Sequence, residues 1–495
     1  MNLKRTIINE SQWGIMPLWF FLLILLRVFI RLSMNHSKYK LNNIHFVGIG
    51  GSGMSGIAEV LNNLGYKVSG SDSASSSNTQ RLEGMGIKIY YEHKSSNLEG
   101  VEMLVKSTAI PEDNVEIKEA RDRFIPVLAR AEMLSSLMNN KKGIAVAGTH
   151  GKTTTTSLVA SIMSDAGLDP TFINGGIINS FNSNAQLGQG EYLIAEADES
   201  DQSFLLLQPS VSIITNIEPD HLINYENSFE NLKNAFLEFI KNLPFNGISI
   251  VCGDDEVIKV LKKNFQRNHI SYGFEPTNDY VISNYKSEGM KSFFKLTSPH
   301  ESIDLSLNML GKHNVLNAAA AAILCIQEGI SLNVIKGSLN NFMGIDRRMQ
   351  ILGSKKIKTH HCTYIDDYGH HPTEIKKTIE AIRDSYPAHK VIMIFQPHRF
   401  TRTKDLYEEF VAVLKHVDQL MLLDIYSAGE KEIEDINSEN IQKSLMKEGF
   451  KQVYLFSNKE KILKNLDRDI DSDTVFVFQG AGDISAISKQ VAEDF

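Results

Sequence analysis

The stretch Ile144-Ala145-Val146-Ala147-Gly148-Thr149-His150-Gly151-Lys152-Thr153-Thr154-Thr155-Thr156 places an apolar run, a glycine-bracketed loop, a lysine and consecutive threonines in succession. Backbone N–H groups of such a loop and the positive end of a following helix converge on anionic oxygens, while a lysine adds a point charge and a hydroxyl reaches Mg²⁺. The residues therefore read as a strand, a phosphate loop and a helix that bind ATP. Gly148, Thr149, His150, Gly151 and Thr154 surround the phosphates, Lys152 contacts them and Thr153 faces the metal. The usual pattern has a glycine where Val146 stands, so the expected loop is the shorter Gly-x-x-Gly-Lys-Thr.

Acids beside such a loop must come from neighbouring strands. Tyr192 to Ala195 is an apolar run that ends in Glu196-Ala197-Asp198-Glu199-Ser200-Asp201, and Val211 to Ile217 ends in Glu218-Pro219-Asp220-His221. Clustered carboxylates at a strand end suit Mg²⁺, and a histidine at the carboxyl end of a parallel strand is placed for ligand contact. A second glycine loop, Gly48-Ile49-Gly50-Gly51-Ser52-Gly53, follows the apolar strand Ile44 to Val47, and Asp72 ends the next strand. This spacing places a pyrophosphate on a helix N-terminus; NAD is the default ligand for these residues, and a nucleotide sugar uses the same physics. Gly311-Lys312-His313-Asn314 reads as a small loop before an alanine-rich helix over 315–326, where backbone can approach a flat ligand. Arg347-Arg348 lies at an expected domain junction, from which one guanidinium can complete an ATP site. Near the C-terminus, Tyr368-Gly369-His370-His371-Pro372 and His398-Arg399-Phe400-Thr401-Arg402 end two further strands. Guanidinium groups there suit a carboxylate substrate.

Strands alternate with helical patterns throughout, which predicts an α/β protein of three domains: a Rossmann-like domain over 42–129, a central phosphate-loop ATPase domain with a mostly parallel sheet over 130–346, and a second Rossmann-like domain over 347–495. The length of 495 residues accommodates three cores. A net charge of −8 gives no basic surface for nucleic acid. Cys252, Cys325 and Cys362 form no Cys-x-x-Cys pair, and adjacent residues in His360-His361-Cys362 point to opposite faces of an extended segment, so neither group reads as a metal site.

Together the two glycine loops, Glu196 to Asp201, Gly311 to Asn314, Asp366 to Pro372 and Gln396-Pro397-His398-Arg399 resemble the Mur ligases of peptidoglycan synthesis, from about Asn42 to the C-terminus. The resemblance implies a ligase that uses ATP and Mg²⁺ to join L-alanine to the lactyl carboxylate of UDP-N-acetylmuramate through an acyl phosphate. It implies that Lys152 contacts the γ-phosphate, that Thr153 and Glu196 hold one Mg²⁺, and that His221 helps to hold a second. Asn314 and Arg348 then belong to the ATP site, and Gly48, Gly50, Gly51, Ser52, Gly53, Asp72 and Ser107 to the UDP-sugar site. Tyr368, His370, Arg399 and Arg402 are the expected alanine-binding residues, with His370 and Arg399 also in the catalytic cleft. Relatives that add later residues bridge their metals with a carbamylated lysine; this chain has Lys233 and Phe236 near that place.

Two rival readings remain at this level. One is a recycling ligase that attaches a preformed murein peptide to the same sugar nucleotide; the other is a membrane-associated nucleotide sensor. Residues 1–41 form an extension with an apolar run from Gly14 to Leu26 that is interrupted at Arg27. It reads as upstream sequence before a start at Met34, as an interfacial anchor over 14–32, or as a marginal span. The expected location is cytoplasmic, with membrane contact only through that segment.

Overall fold

In a computed structural model, residues 41–456, 462 and 470–493 are described; the apolar segment 14–32 and Met34 lie outside them. Among the described residues no helix is long and apolar enough to cross a membrane. The chain is α/β and builds three sheets in succession.

The first sheet holds β1 Asn43–Val47, β2 Lys67–Ser71, β3 Lys88–Tyr90, β4 Met103–Lys106 and β5 Val127–Ala129, in the order β3-β2-β1-β4-β5. All its pairs are parallel. The order reverses between β1 and β4, which opens a crevice at the carboxyl ends of these strands. Helix α1, Ser52–Asn63, starts there with Gly51 at its N-cap, no side-chain cap and no acid in its first turn. Its positive end therefore faces the crevice uncompensated by a side chain. The short connecting helix α2, Arg130–Met138, leads to the second sheet.

That sheet comprises β6 Lys142–Ala147, β7 Thr171–Ile178, β8 Ser183–Gln186, β9 Tyr192–Glu196, β10 Val211–Ile214, β11 Ile248–Cys252, β12 Asn268–Gly273, β13 Tyr280–Glu288, β14 Lys291–Thr297 and β15 Ser302–Leu307. Their order is β15-β14-β13-β12-β11-β10-β6-β9-β7-β8. Its middle is parallel, and antiparallel hairpins close both edges. Strand β6 lies between β10 and β9, and Ile144 to Ala147 are fully buried. A strand covered on both faces needs an apolar run rather than alternation. Register then aligns Val146 with Glu196 and Ala147 with Ile214, so both acidic strand ends emerge beside the loop that follows β6. That loop feeds α3, Lys152–Asp165, and α4, Lys312–Gln327, lies on the same sheet. Helix α4 begins at Lys312, three residues earlier than its sequence suggested. Gly311 at φ +92 is its N-cap, so His313 and Asn314 sit in the first turn instead of a loop.

The third sheet consists of β16 Gln350–Ile357, β17 His360–Asp367, β18 Lys390–Phe395, β19 Gln419–Leu423, β20 Val453–Phe456 and β21 Thr474–Gln479, in the order β16-β17-β21-β18-β19-β20. Only β16 runs antiparallel. Asp367, Gln479 and Phe395 are in register, so the loops after β17, β18 and β21 meet at one edge. Helix α5, Pro372–Ser385, follows β17 with proline in its first turn and a glutamate at its third position, the combination expected of a strong helix start. One continuous core joins a face of the first sheet to the second sheet, while Val47, Leu98, Leu104, Ile117 and Ala120 form a separate core on the other side of the first sheet and the third sheet has a core on each face. The first domain is docked closely onto the second: a Cβ on Gly56 of α1 would lie 3.1 Å from Ile173 and 3.2 Å from Ala185.

Candidate active site

A cavity of about 420 Å³ lies between the second and third sheets. Thr149 to Thr154, Glu196, Asp198 and Glu199, Glu218, Asp220 and His221 line it from one side, and Arg348, Asp367, His370, His371 and Glu374 from the other. The glycine loop after β1 does not contribute to this lining.

Gly148 at φ +129 and Gly151 at φ +87 take backbone angles that favour glycine. A Cβ on Gly151 would also meet Asn317 Oδ1 at 2.6 Å, whereas Val146 is an ordinary buried strand residue. The short loop thus needs glycine at its two bends only. Thr149 N–H donates to Asn216 O at 3.1 Å and His150 N–H to Asn216 Oδ1 at 2.9 Å. Lys152 Nζ donates to both Glu199 carboxylate oxygens at 2.9 and 2.8 Å, to Gly148 O at 2.6 Å and to Thr149 O at 3.2 Å. Burial opposes the lysine's charge, but Glu199, Asp198 and Glu196 raise its pKa. Burial pushes Glu199 up to about 7 despite Lys152, so this carboxyl stands near its titration point at neutral pH. Thr153 and Thr154 are buried against the cavity.

Glu196 accepts from Gly175 N–H at 2.6 Å and lines the cavity. His221, in the left-handed region at φ +54, lies 3.5 Å from Asp220 and is lowered in pKa by burial. A hydroxyl and one carboxylate are hard oxygen donors that fit Mg²⁺, which is commonly held by one or two carboxylates with substrate phosphates and water. Among the described residues no group of three or more His, Cys, Asp or Glu forms an all-protein metal cage. Lys233 pairs with Glu230 at 3.2 Å outside the cavity, and Phe236 is fully buried; neither meets the metal side.

Asn314 donates to Leu310 O at 2.8 Å and accepts from Asn317 at 3.4 Å, and both line the cavity beside the loop. Arg348 Nη1 lies 3.8 Å from Glu374, and the Arg347 and Arg348 guanidiniums lie 5.0 and 4.9 Å from the Tyr368 ring centre. Of the four residues expected to hold an amino acid, His370 alone lines the cavity. Tyr368 packs beneath the arginines, and Arg402 Nη1 contacts His398 Nδ1 at 3.3 Å. Arg399 is exposed at the head of the next helix. Burial lowers His370 and His398 to about 4, so both are neutral hydrogen-bonding groups and weak bases at pH 7. His398 stacks on Tyr426 with ring centres 5.5 Å apart.

The other glycine loop forms a separate site at the β1/β4 crevice. Gly48 has φ +81, and Gly50 N–H donates to Asp72 Oδ2 at 2.8 Å. A Cβ on Gly50 would lie 2.8 Å from that same oxygen. Asp72 thus anchors the loop itself. Ser107, at the end of β4, packs against Gly48, Ser52 O accepts from Asn184 of β8 at 3.0 Å, and Gly51 and Gly53 flank it. Arg130, absent from the sequence reading, lies flat against Gly53: its Nη1 is 3.2 Å from where a Cβ would stand. It also reaches Ser203 Oγ at 3.2 Å and Asp198 at 3.5 Å. Glu199, Glu218, Asn317 and Glu374 were likewise unassigned, although Glu199 lay within a visible acidic cluster.

Three domain profiles match the chain: "Mur ligase family, catalytic domain" over residues 43–142, "Mur ligase middle domain" over 146–325 and "Mur ligase, glutamate ligase domain" over 347–482. The structure is similar to that of UDP-N-acetylmuramate-alanine ligase MurC from Thermotoga maritima, with 30% identity, 91% of this chain and 98% of that chain covered, and a TM-score of 0.78. It shares its fold with a murein peptide ligase from Psychrobacter arcticus at 22% identity, 91% and 98% coverage and a TM-score of 0.67. It also shares it with the MurF ligase of Thermotoga maritima, solved in complex with ADP, at 17% identity, 86% and 94% coverage and a TM-score of 0.59.

Proposed function

The chain belongs to the Mur ligase family, and on that premise we propose that it joins L-alanine to the lactyl carboxylate of UDP-N-acetylmuramate at the expense of ATP. The observation that carries this reading is the shared cavity: the Lys152 loop and the His370 loop face each other across it, while a separate glycine-loop crevice lies on the adjoining domain. This arrangement supports a reaction that brings together a phosphoryl donor, an amine and a sugar nucleotide. The 30% identity to an alanine ligase favours alanine as the amine.

In the first step a lactyl carboxylate oxygen attacks the γ-phosphorus, the bond to the β-phosphate oxygen breaks and ADP leaves. In the second the neutral alanine amine attacks the acyl carbon, the C–O bond to phosphate breaks, and the nitrogen loses a proton. Both reacting partners of the first step are anions, so the positive loop and Lys152 offset their repulsion and stabilise the transferring group. Thr153 and Glu196 would hold Mg²⁺, which supplies further charge neutralisation at the phosphates; His221 lines the same side. Asn314 and Arg348 are placed for the nucleotide and its phosphates. In the crevice, Gly48 to Gly53 and Ser107 receive the pyrophosphate on the α1 N-terminus. Arg402 and neutral His370 serve the amino acid, with Arg399 at the rim and Tyr368 held by the paired arginines. Since a methyl-sized pocket discriminates by only about 1–3 kcal/mol, rejection of glycine and serine should be moderate.

The test is phosphate release by purified protein with ATP, Mg²⁺ and UDP-N-acetylmuramate, with each amino donor supplied in turn. Turnover with L-alanine is expected. Turnover with a murein tripeptide but not with alanine would assign the chain to peptide recycling instead, and tight NAD binding without phosphate release under any donor would replace both with a sensor.

A further inference from the structure

Between the phosphate loop and the third domain, four ionisable side chains alternate in sign along a chain that runs Lys377, Glu218, His150, Glu374. His150 Nδ1 lies 3.4 Å from Glu374 and its Nε2 3.5 Å from Glu218. Lys377, on the turn of α5 that follows Glu374, donates to Glu218 at 3.2 Å. Two members come from the second domain and two from the third, and all four line the cavity. Burial works against ionisation of every member of such a set, yet each charge has an opposite neighbour. Against that burial, Glu218 and Glu374 raise His150 to about 9. His150 and Lys377 lower Glu218 to about 2, and His370, His150 and Arg348 hold Glu374 well below the usual range. The other groups around His150 are the His371 ring, with its centre 5.5 Å away, and His313, which burial lowers to about 3 and leaves uncharged.

Glu374 does a second thing. Its Oε2 accepts the backbone N–H of His370 at 2.9 Å and of His371 at 3.1 Å, which shapes the loop that presents His370 to the cavity. Its Oε1 faces His150 and Arg348. One carboxylate thus joins the amino-acid loop, the phosphate loop and the junction arginine. The His150 main chain is itself fixed, since its carbonyl accepts from Thr215 Oγ1 at 2.5 Å and Asn216 Nδ2 at 2.9 Å.

Building on the ligase reading above, we infer that Glu374 is a positioning residue whose contact with His150 couples the amino-donor site to the ATP phosphate loop. Glu374→Gln keeps an acceptor for the two backbone N–H groups and removes the charge that His150 meets. His150→Asn removes the other half of the pair.

The experiment is a double-mutant cycle on KM and kcat for ATP, the sugar nucleotide and the amino donor. It uses whichever donor the wild type turns over, so failure of the alanine assignment does not interrupt it. Glu374→Gln should raise KM for both ATP and the amino donor about fivefold or more. Sugar-nucleotide affinity, measured by calorimetry, should stay within about twofold. The double variant should be no worse than the worse single one. Effects that multiply independently, or a rise in the amino-donor KM alone, would overturn the coupling. Thermal unfolding of each variant serves as a control: if Glu374→Gln lowers the affinity for all three substrates in proportion to lost folded protein, its role is structural and the inference fails.

Discussion

Replacing Lys152 with alanine separates chemistry from substrate capture. The ammonium is half-enclosed by the loop and by Glu199, surroundings in which an effective dielectric constant of about 20 is appropriate. A unit charge about 4 Å from a phosphoryl oxygen is then worth about 4 kcal/mol, or about a thousandfold in rate. Loss of one preorganised donor in other enzymes costs about a hundred- to a thousandfold, so kcat should fall by that amount. Sugar-nucleotide affinity should be unchanged, because Gly48 to Gly53, Asp72 and Ser107 of the β1/β4 crevice are not among the residues that line the cavity. The fold has a built-in allowance for the loss. Burial raises Glu199 to about 7 even though Lys152 lowers it, so without Lys152 its pKa rises further, it holds a proton at neutrality and avoids remaining as an unpaired buried charge. Its folded-state pKa lies above the unfolded value, so the native state holds a proton that the unfolded chain releases, and stability falls as pH rises. The Lys152→Ala protein should therefore unfold close to the wild-type temperature at pH 6.5 and further below it at pH 8.5. Phosphate release, calorimetric titration with UDP-N-acetylmuramate and thermal unfolding at both pH values measure the three quantities. A rate loss below tenfold would refute the role of Lys152 at the transferring phosphoryl group, and simultaneous loss of sugar-nucleotide binding would refute the assignment of separate sites.

Arg130→Ala should raise KM for the sugar nucleotide about tenfold or more, the scale of one lost charge-assisted hydrogen bond, with KM for ATP unchanged and partial recovery in Arg130→Lys; equal effects on both substrates would make Arg130 a domain strut. In Glu196→Gln, half-saturation by Mg²⁺ should shift upward about tenfold, while an unchanged titration would remove Glu196 from the metal. His313, lowered by burial to about 3, picks up a proton on unfolding below about pH 6.5. The unfolded state then binds more protons, so this group makes stability rise with pH between about 3 and 6.5; melting temperatures of His313→Asn should show a shallower acid slope than the wild type, and identical slopes would contradict the buried neutral assignment.

Much of the architecture could be read from residue patterns because its causes are local. Apolar runs that end in glycine or acid marked β1, β6, β9 and β10. The start of α4 was harder: Gly311 serves as an N-cap through its positive φ, without the Ser, Thr, Asp or Asn that usually signals one. The phosphate loop was legible as chemistry, yet why Val146 could replace a glycine was decided by its burial between β9 and β10.

What the sequence alone determined, then, was the set of strand-end groups and the three successive α/β units, since periodicity and turn chemistry act over a few residues. Tertiary structure decided which groups meet. Arg130 reaches Asp198 across 68 residues and Lys377 reaches Glu218 across 159. The partner of Lys152 among several neighbouring acids is Glu199, selected by the loop after β9. Such pairs depend on strand order, register and domain docking, and His150, Glu218 and Glu374 acquire their shifted pKa values only when those long-range contacts set opposite charges side by side, against the effect of burial.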